Sequence, residues 1–145
     1  MKTIYEIQEM FQNEQELHLV IEDCKDNLDK INYWQGVLLQ GVLDNAEQAK
    51  QALQELTGAY MGLRTYVTVA QTEKTIRQNE AYQDLRKNAT GKFVSTVAEQ
   101  EASNMVNNYR RVRNYLEGYY YQCDKAISSV QSLLKFMGEE IRLNR

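Results

Sequence analysis

The chain has 145 residues, 43% of them hydrophobic and 26% charged, with a net charge of −3, two cysteines and no proline. That size and balance suit one soluble domain, 1–145, and argue against a disordered, collagen-like or disulfide-stapled chain. Cys24 and Cys123 lie far apart without Cys-x-x-Cys spacing, which points to no zinc site and no disulfide framework.

No basic-then-apolar leader opens the sequence, and no run approaches the roughly 18 apolar residues of a membrane span. A cytoplasmic protein without membrane contact is expected, so the sequon Asn88-Ala89-Thr90 carries no weight. Proline averages about 5% of residues and breaks helix interiors, so its absence leaves long helices unopposed. Charge is uneven along the chain: residues 1–63 sum to −7 and residues 64–145 to +4. The two halves face different partners, or each other.

From the N-terminus, Ile4, Ile7, Phe11, Leu17, Val20, Ile21, Cys24, Leu28, Ile31 and Trp34 recur mostly three or four apart, a helical period. The polar stretch 12–16 either divides this region into a short and a longer helix or is carried through. A second pattern begins near Trp34. Ala46, Ala49, Leu53, Leu56, Tyr60, Leu63, Val67 and Ala70 follow a 3-4-3-4 spacing that reads as a coiled-coil-like seam. Gly58 and Gly62 each cost about 1 kcal/mol against alanine in a helix interior, which predicts a close helix approach, or else a hinge. Past Ala70 the seam fades, and Ile76, Tyr82 and Leu85 carry helix to about Lys87. Asn88–Lys92 reads as a stop with Gly91 at positive φ. Thr96-Val97-Ala98-Glu99 then fits a capping box that opens a third helix over about 96–142.

That third helix carries Ala98, Ala102, Met105, Tyr109, Val112, Leu116, Tyr119, Cys123, Ala126, Val130, Leu134, Met137 and Ile141 at alternating spacings of four and three, with one extra residue near Val130. At 1.5 Å per residue it is about 70 Å long. The expected fold is all-α: a long helical hairpin or an elongated three-helix bundle with coiled-coil-like seams. A seam running from Tyr109 through Val112, Leu116, Tyr119, Cys123, Val130, Leu134 and Met137 outreaches the shorter helices, which predicts a homo-oligomer.

The catalytic inventory is thin. His18 has no nucleophile near it in sequence and flanks the apolar stripe Leu17-Val20-Ile21, while Glu22-Asp23, Glu99–Glu101 and Glu139-Glu140 read as solvated helix faces. No P-loop, Gly-rich dinucleotide motif, Gly-x-Ser-x-Gly or His-Glu-x-x-His occurs. Neither an enzyme, a cofactor, a metal nor a small-molecule substrate is expected.

Residues 109–121 combine three arginines with five of the ten tyrosines. At 100° per residue, Tyr109, Val112, Leu116, Tyr119, Tyr120 and Cys123 share an apolar face, and Arg110, Arg111, Asn114, Tyr121 and Lys125 gather opposite. Guanidinium and ammonium groups beside an exposed aromatic ring suit single-stranded nucleic acid, whose phosphates take the cations and whose bases stack for about 1–3 kcal/mol each. Arg110, Arg111, Arg113, Asn114, Tyr121 and Lys125 are the candidate contacts. A solvated face with Tyr121 at a helix contact is the plain alternative.

From Lys92 onward, Lys92-Phe93-Val94-Ser95-Thr96-Val97-Ala98-Glu99 and Glu117-Gly118-Tyr119-Tyr120-Tyr121-Gln122-Cys123-Asp124-Lys125-Ala126-Ile127-Ser128 resemble the C-terminal half of UvsY-like phage recombination mediators. The resemblance covers about a third of the chain. It implies a helical oligomer that binds single-stranded DNA and helps load a RecA-like recombinase onto strands coated by single-strand-binding protein, in the host cytoplasm. The family's basic Leu-Lys-Ala-Arg-like motif would fall near Leu53-Gln54-Glu55-Leu56, where neither basic residue is present. No DNA contact carries over from it. Two other readings stand beside this one: a scaffold or virion component acting through protein contacts alone, and an acidic N-terminal surface that occupies another protein's basic site.

Overall fold

The computed structural model describes residues 2–143, and the side chains of residues 2–138. Every regular element among them is helical: α1 (Ile4–Met10), a 3-10 turn (Glu14–Glu16), α2 (Leu17–Asp23), α3 (Lys25–Gln40), α4 (Ala46–Lys87), α5 (Ser95–Met105) and α6 (Asn107–Leu143). The all-α expectation holds. The chain groups into two compact units, the first of Met1–Glu22 and Thr65–Leu116, the second of Asp23–Arg64 and Glu117–Arg145. Helices α4 and α6 contribute residues to both. Ile141, Glu139 and Glu140 lie outside the described side chains.

Side-chain chemistry explains three of the helix starts. Thr3 accepts from the Glu6 amide to start α1, and Asn13 accepts from the Gln15 amide at 3.0 Å to start the 3-10 turn, so the polar stretch 12–16 does divide the N-terminal region. Helix α3 runs straight through Trp34 to Gln40, so the second pattern does not begin at Trp34. The stop is Gly41, at φ 68°, where the Gly41 amide reaches Leu38 O and the Val42 amide reaches Val37 O. Asn45 then accepts from the Gln48 amide at 2.8 Å and opens α4. Helix α4 is unbroken to Lys87, and Gly91 follows at φ 92° as expected.

The third helix differs from the expectation in three ways. Helix α5 starts at Ser95 with no side-chain cap, and Thr96 already sits inside the first turn, where it cannot form the capping box. The helix is interrupted at Val106 (φ −106°, ψ 21°) and does not run continuously from 96 to 142. Ser103, Asn104, Asn107 and Asn108 cluster at the break, and these types compete for backbone hydrogen bonds outside helices. As a result Val106 takes the buried place and Met105 turns outward, 55% exposed, off the seam.

The buried stripe of α4 is also rotated from its expected phase. Ala49, Ala52, Leu56, Ala59 and Leu63 are buried in the second unit, Tyr66, Ala70 and Glu73 in the first, at 3-4 spacing throughout. Ala49, Leu56, Leu63 and Ala70 were expected, but Ala46, Leu53, Tyr60 and Val67 are only half-buried. Small residues at 52 and 59 let neighbouring helices close, and the bulkier side chain beside each moves to the flank. Gly62 faces the Asn27 side chain of α3, 2.8 Å from where a Cβ would stand, whereas Gly58 has nothing within 4 Å. The close approach is met at Gly62 alone.

In the first unit, Phe11 is fully buried just beyond α1, and its carbonyl accepts from Arg77 Nη2 at 3.1 Å and from the Tyr109 hydroxyl at 3.2 Å. Arg77 also donates to Gln12 O at 3.3 Å, stands 4.6 Å over the Tyr109 ring and lies 3.8 Å from Glu73, the buried acid of the stripe. In the second unit, Trp34 donates its indole N–H to Glu55, and the Cys123 thiol donates to Leu56 O at 3.2 Å. Burial pushes the Cys123 thiol up to about 11, and the Asp124 carboxylate adds to the effect.

Arg77→Ala is expected to lower unfolding stability by about 1–3 kcal/mol in urea titration, because it removes the cation beside the buried Glu73 carboxylate and one donor from each of the Phe11 and Gln12 carbonyls; Arg77→Lys should recover only part of this. Cys123 should resist Ellman's reagent until the protein unfolds. Its folded pKa lies above the unfolded value of 9.0, so its contribution is full below about pH 9 and lost as pH rises towards 11. Cys123→Ala should therefore flatten the alkaline fall in stability, and an unchanged slope would contradict this assignment.

Candidate nucleic-acid interface

The expected contacts fall in both units. Arg110, Arg111, Arg113 and Asn114 belong to the first, and Tyr121 and Lys125 to the second, all on α6. The break at Val106 gives Arg110 structural work. Its guanidinium donates to Ser103 O at 3.0 Å, Ser103 Oγ at 2.6 Å and Asn107 Oδ1 at 2.7 Å, so it satisfies a carbonyl in the last turn of α5. Arg113 is half-buried and donates through Nη1 to Gln71 on α4. Arg111 and Asn114 are exposed.

Lys74 joins this group and was missing from the sequence reading. It stands one turn from Gln71 on α4, and its amine is held below its ordinary value of 10.5 by partial burial and then by Arg113 and Arg110. Three cations therefore concentrate where α4 and α6 meet in this unit. A local concentration of positive charge of this kind attracts anions such as phosphate. No one-dimensional signal pairs Lys74 with Arg110, because the two sit on different helices far apart in the chain.

In the second unit, the tyrosines divide much as the helical wheel suggests. Tyr119 accepts from Asn32 through its hydroxyl at 3.1 Å, and Tyr120 stacks on Tyr60 with ring centroids 4.2 Å apart and planes 15° from parallel. The hydrogen bond with Tyr120, ahead of burial, pushes the Tyr60 hydroxyl up to about 12. Tyr121 packs at 64° to Tyr120 and stays 57% exposed, and Lys125 is exposed one turn along. The seam residues Tyr109, Leu116, Cys123 and Val130 are buried within the single chain, while Val112, Tyr119, Leu134 and Met137 are half-buried.

His18 is exposed, and among the described residues no group of three or more His, Cys, Asp or Glu is placed to hold a metal ion. No helix among them is long and apolar enough to cross a membrane. Compared with protein-family models, curated proteins and solved structures, the chain matches none.

Lysine-selective NMR provides the check on the cluster. The Lys74 amine should titrate below the exposed lysines, and both Arg113→Gln and added inorganic phosphate should raise its midpoint. Titration of Lys74 together with the exposed lysines would remove the cluster.

Proposed function

We propose that this chain acts without catalysis, as an accessory protein of the recombination-mediator type that binds single-stranded DNA and works beside a RecA-like recombinase. The observation that carries the reading is the cation cluster of Lys74, Arg110 and Arg113, with Arg111 exposed beside it on α6. Tyr121 supports a single strand over a duplex, since an exposed ring stacks on an unpaired base but has no use for a paired one. The resemblance of residues 92–99 and 117–128 to UvsY-like mediators agrees with this.

Self-association belongs to the same proposal, in a changed place. The buried seam positions are already covered within one chain, so a second copy would meet the half-buried Tyr119, Leu134 and Met137 and the exposed Leu39 and Phe136 of the second unit. Leu39 is 82% exposed and Phe136 63%, which also favours the second reading, a scaffold acting through protein contacts alone.

Sedimentation with and without a single-stranded oligonucleotide tests both readings. The nucleic-acid reading expects binding whose log K falls with log salt at about −0.7 per phosphate neutralised, and Arg111→Ala should make that slope shallower by about 0.7. Arg111 is the better probe because replacing Arg110 also uncaps α5. If low salt yields no complex, single-strand binding is excluded. A stable oligomer that ignores DNA and is dissociated by Leu39→Asp or Phe136→Asp would establish the scaffold reading instead.

A further inference from the structure

The first unit also carries a groove of about 650 Å³ whose chemistry is opposite to that of the cation cluster. Half-buried Leu85 forms its apolar wall, with Val106 buried beneath, and Met105, turned outward by the helix break, forms a lip. Glu14, Glu80 and Asp84 line it as well, and all three are exposed. Arg77 also reaches the groove, but its charge is directed inward, onto Glu73 and the carbonyls of Phe11 and Gln12. The accessible charge of the groove is therefore negative.

Glu80 and Asp84 are one turn apart on α4, a like-charge pair that disfavours its own helix, and neither carboxylate has a cationic partner among the described residues. A ligand with cations one helical turn apart would offset that repulsion. Met105 and Leu85 meanwhile call for apolar side chains, and an unbranched thioether adapts to varied ones. An apolar stripe flanked by basic residues at one-turn spacing describes one face of an amphipathic helix.

We infer that this groove is a docking site for a basic amphipathic helix of another protein, which sets apolar side chains against Leu85 and Met105 and lysine or arginine against Glu80 and Asp84. Nucleic acid is repelled here by the same carboxylates, so the site is independent of the DNA reading and stands if that reading fails.

The probe is a fluorescein-labelled Leu–Lys amphipathic peptide of about 16 residues, long enough to hold helix, with a Leu–Glu peptide of the same pattern as its counterpart. Anisotropy should show the Leu–Lys peptide binding the full chain, more weakly as salt rises, while the Leu–Glu peptide does not bind. Glu80→Lys with Asp84→Lys should weaken binding by at least about tenfold. Reversal of Asp26 and Asp29, exposed acids of the second unit, should leave it unchanged. With methionine methyl labels, the Met105 resonance should shift on titration and that of the exposed Met61 should not. Absence of binding, equal binding of the Leu–Glu peptide, equal loss on reversing Asp26 and Asp29, or movement of Met61 without Met105 would each overturn the inference.

Discussion

The first unit depends on how the end of α1 is held. Helix α1 has only seven residues, too short to be stable alone, and its exit leaves the Phe11 and Gln12 carbonyls to be satisfied beside a buried aromatic ring. Arg77 answers both carbonyls from α4, and Tyr109 answers Phe11 again from α6. The same guanidinium covers the Tyr109 ring and approaches Glu73, which lets a carboxylate occupy a place on the buried stripe of α4. One side chain thus ties three helices together. A lysine could match its charge but not its fork.

The interruption at Val106 is the second constraint, and it distributes roles among residues that look equivalent in a helical-wheel view. An uninterrupted helix would keep Met105 on the seam and leave Arg110 to project freely. With the break, Arg110 turns back to the Ser103 carbonyl, Met105 faces outward, and Asn108 reaches Glu14 at 3.0 Å. Of the arginine trio, Arg111 is then exposed, and Arg110 and Arg113 are half-buried.

Much of the fold could be read in the sequence where a local chemical reason fixes it. The end of α4 at Lys87 and the positive φ of Gly91 follow from a stop signal in the chain itself. The turn at Gly41 was equally marked, by glycine and then Asn45, but the apolar recurrence across Trp34 hid it. Phase was harder. Positions 52 and 53, 59 and 60, and 66 and 67 are each apolar or aromatic neighbours, so periodicity alone cannot tell which of a pair points inward. Close packing decides in favour of Ala52 and Ala59, and it is a property of the neighbouring helix as much as of α4. The exposed members of the candidate site, Arg111, Asn114, Tyr121 and Lys125, were legible from the helical wheel. The partners of Arg110 and Arg113 were not, and neither was Lys74, because such contacts arise only once α4, α5 and α6 are brought together.

The charge gradient shows why linear order misleads about partners. Along the sequence it separates an acidic front from a basic remainder, yet the first unit joins residues 1–22 to 65–116 and sums to −1, and the second sums to −2. Folding mixes the signs within each unit. What survives is local: on α4 of the first unit, Lys74 sits near the Arg110 and Arg113 guanidinium groups, and Glu80 and Asp84 lie within three turns of it with no ion-pair partner among the described residues. At physiological salt the screening length is about 8 Å, comparable to the rise of about 9 Å over the six residues from Lys74 to Glu80, so each patch is largely shielded from the other. Net charge therefore says little about what this chain binds. The polarity of each helix face, set by how α4 and the broken α5–α6 pair are packed, decides it.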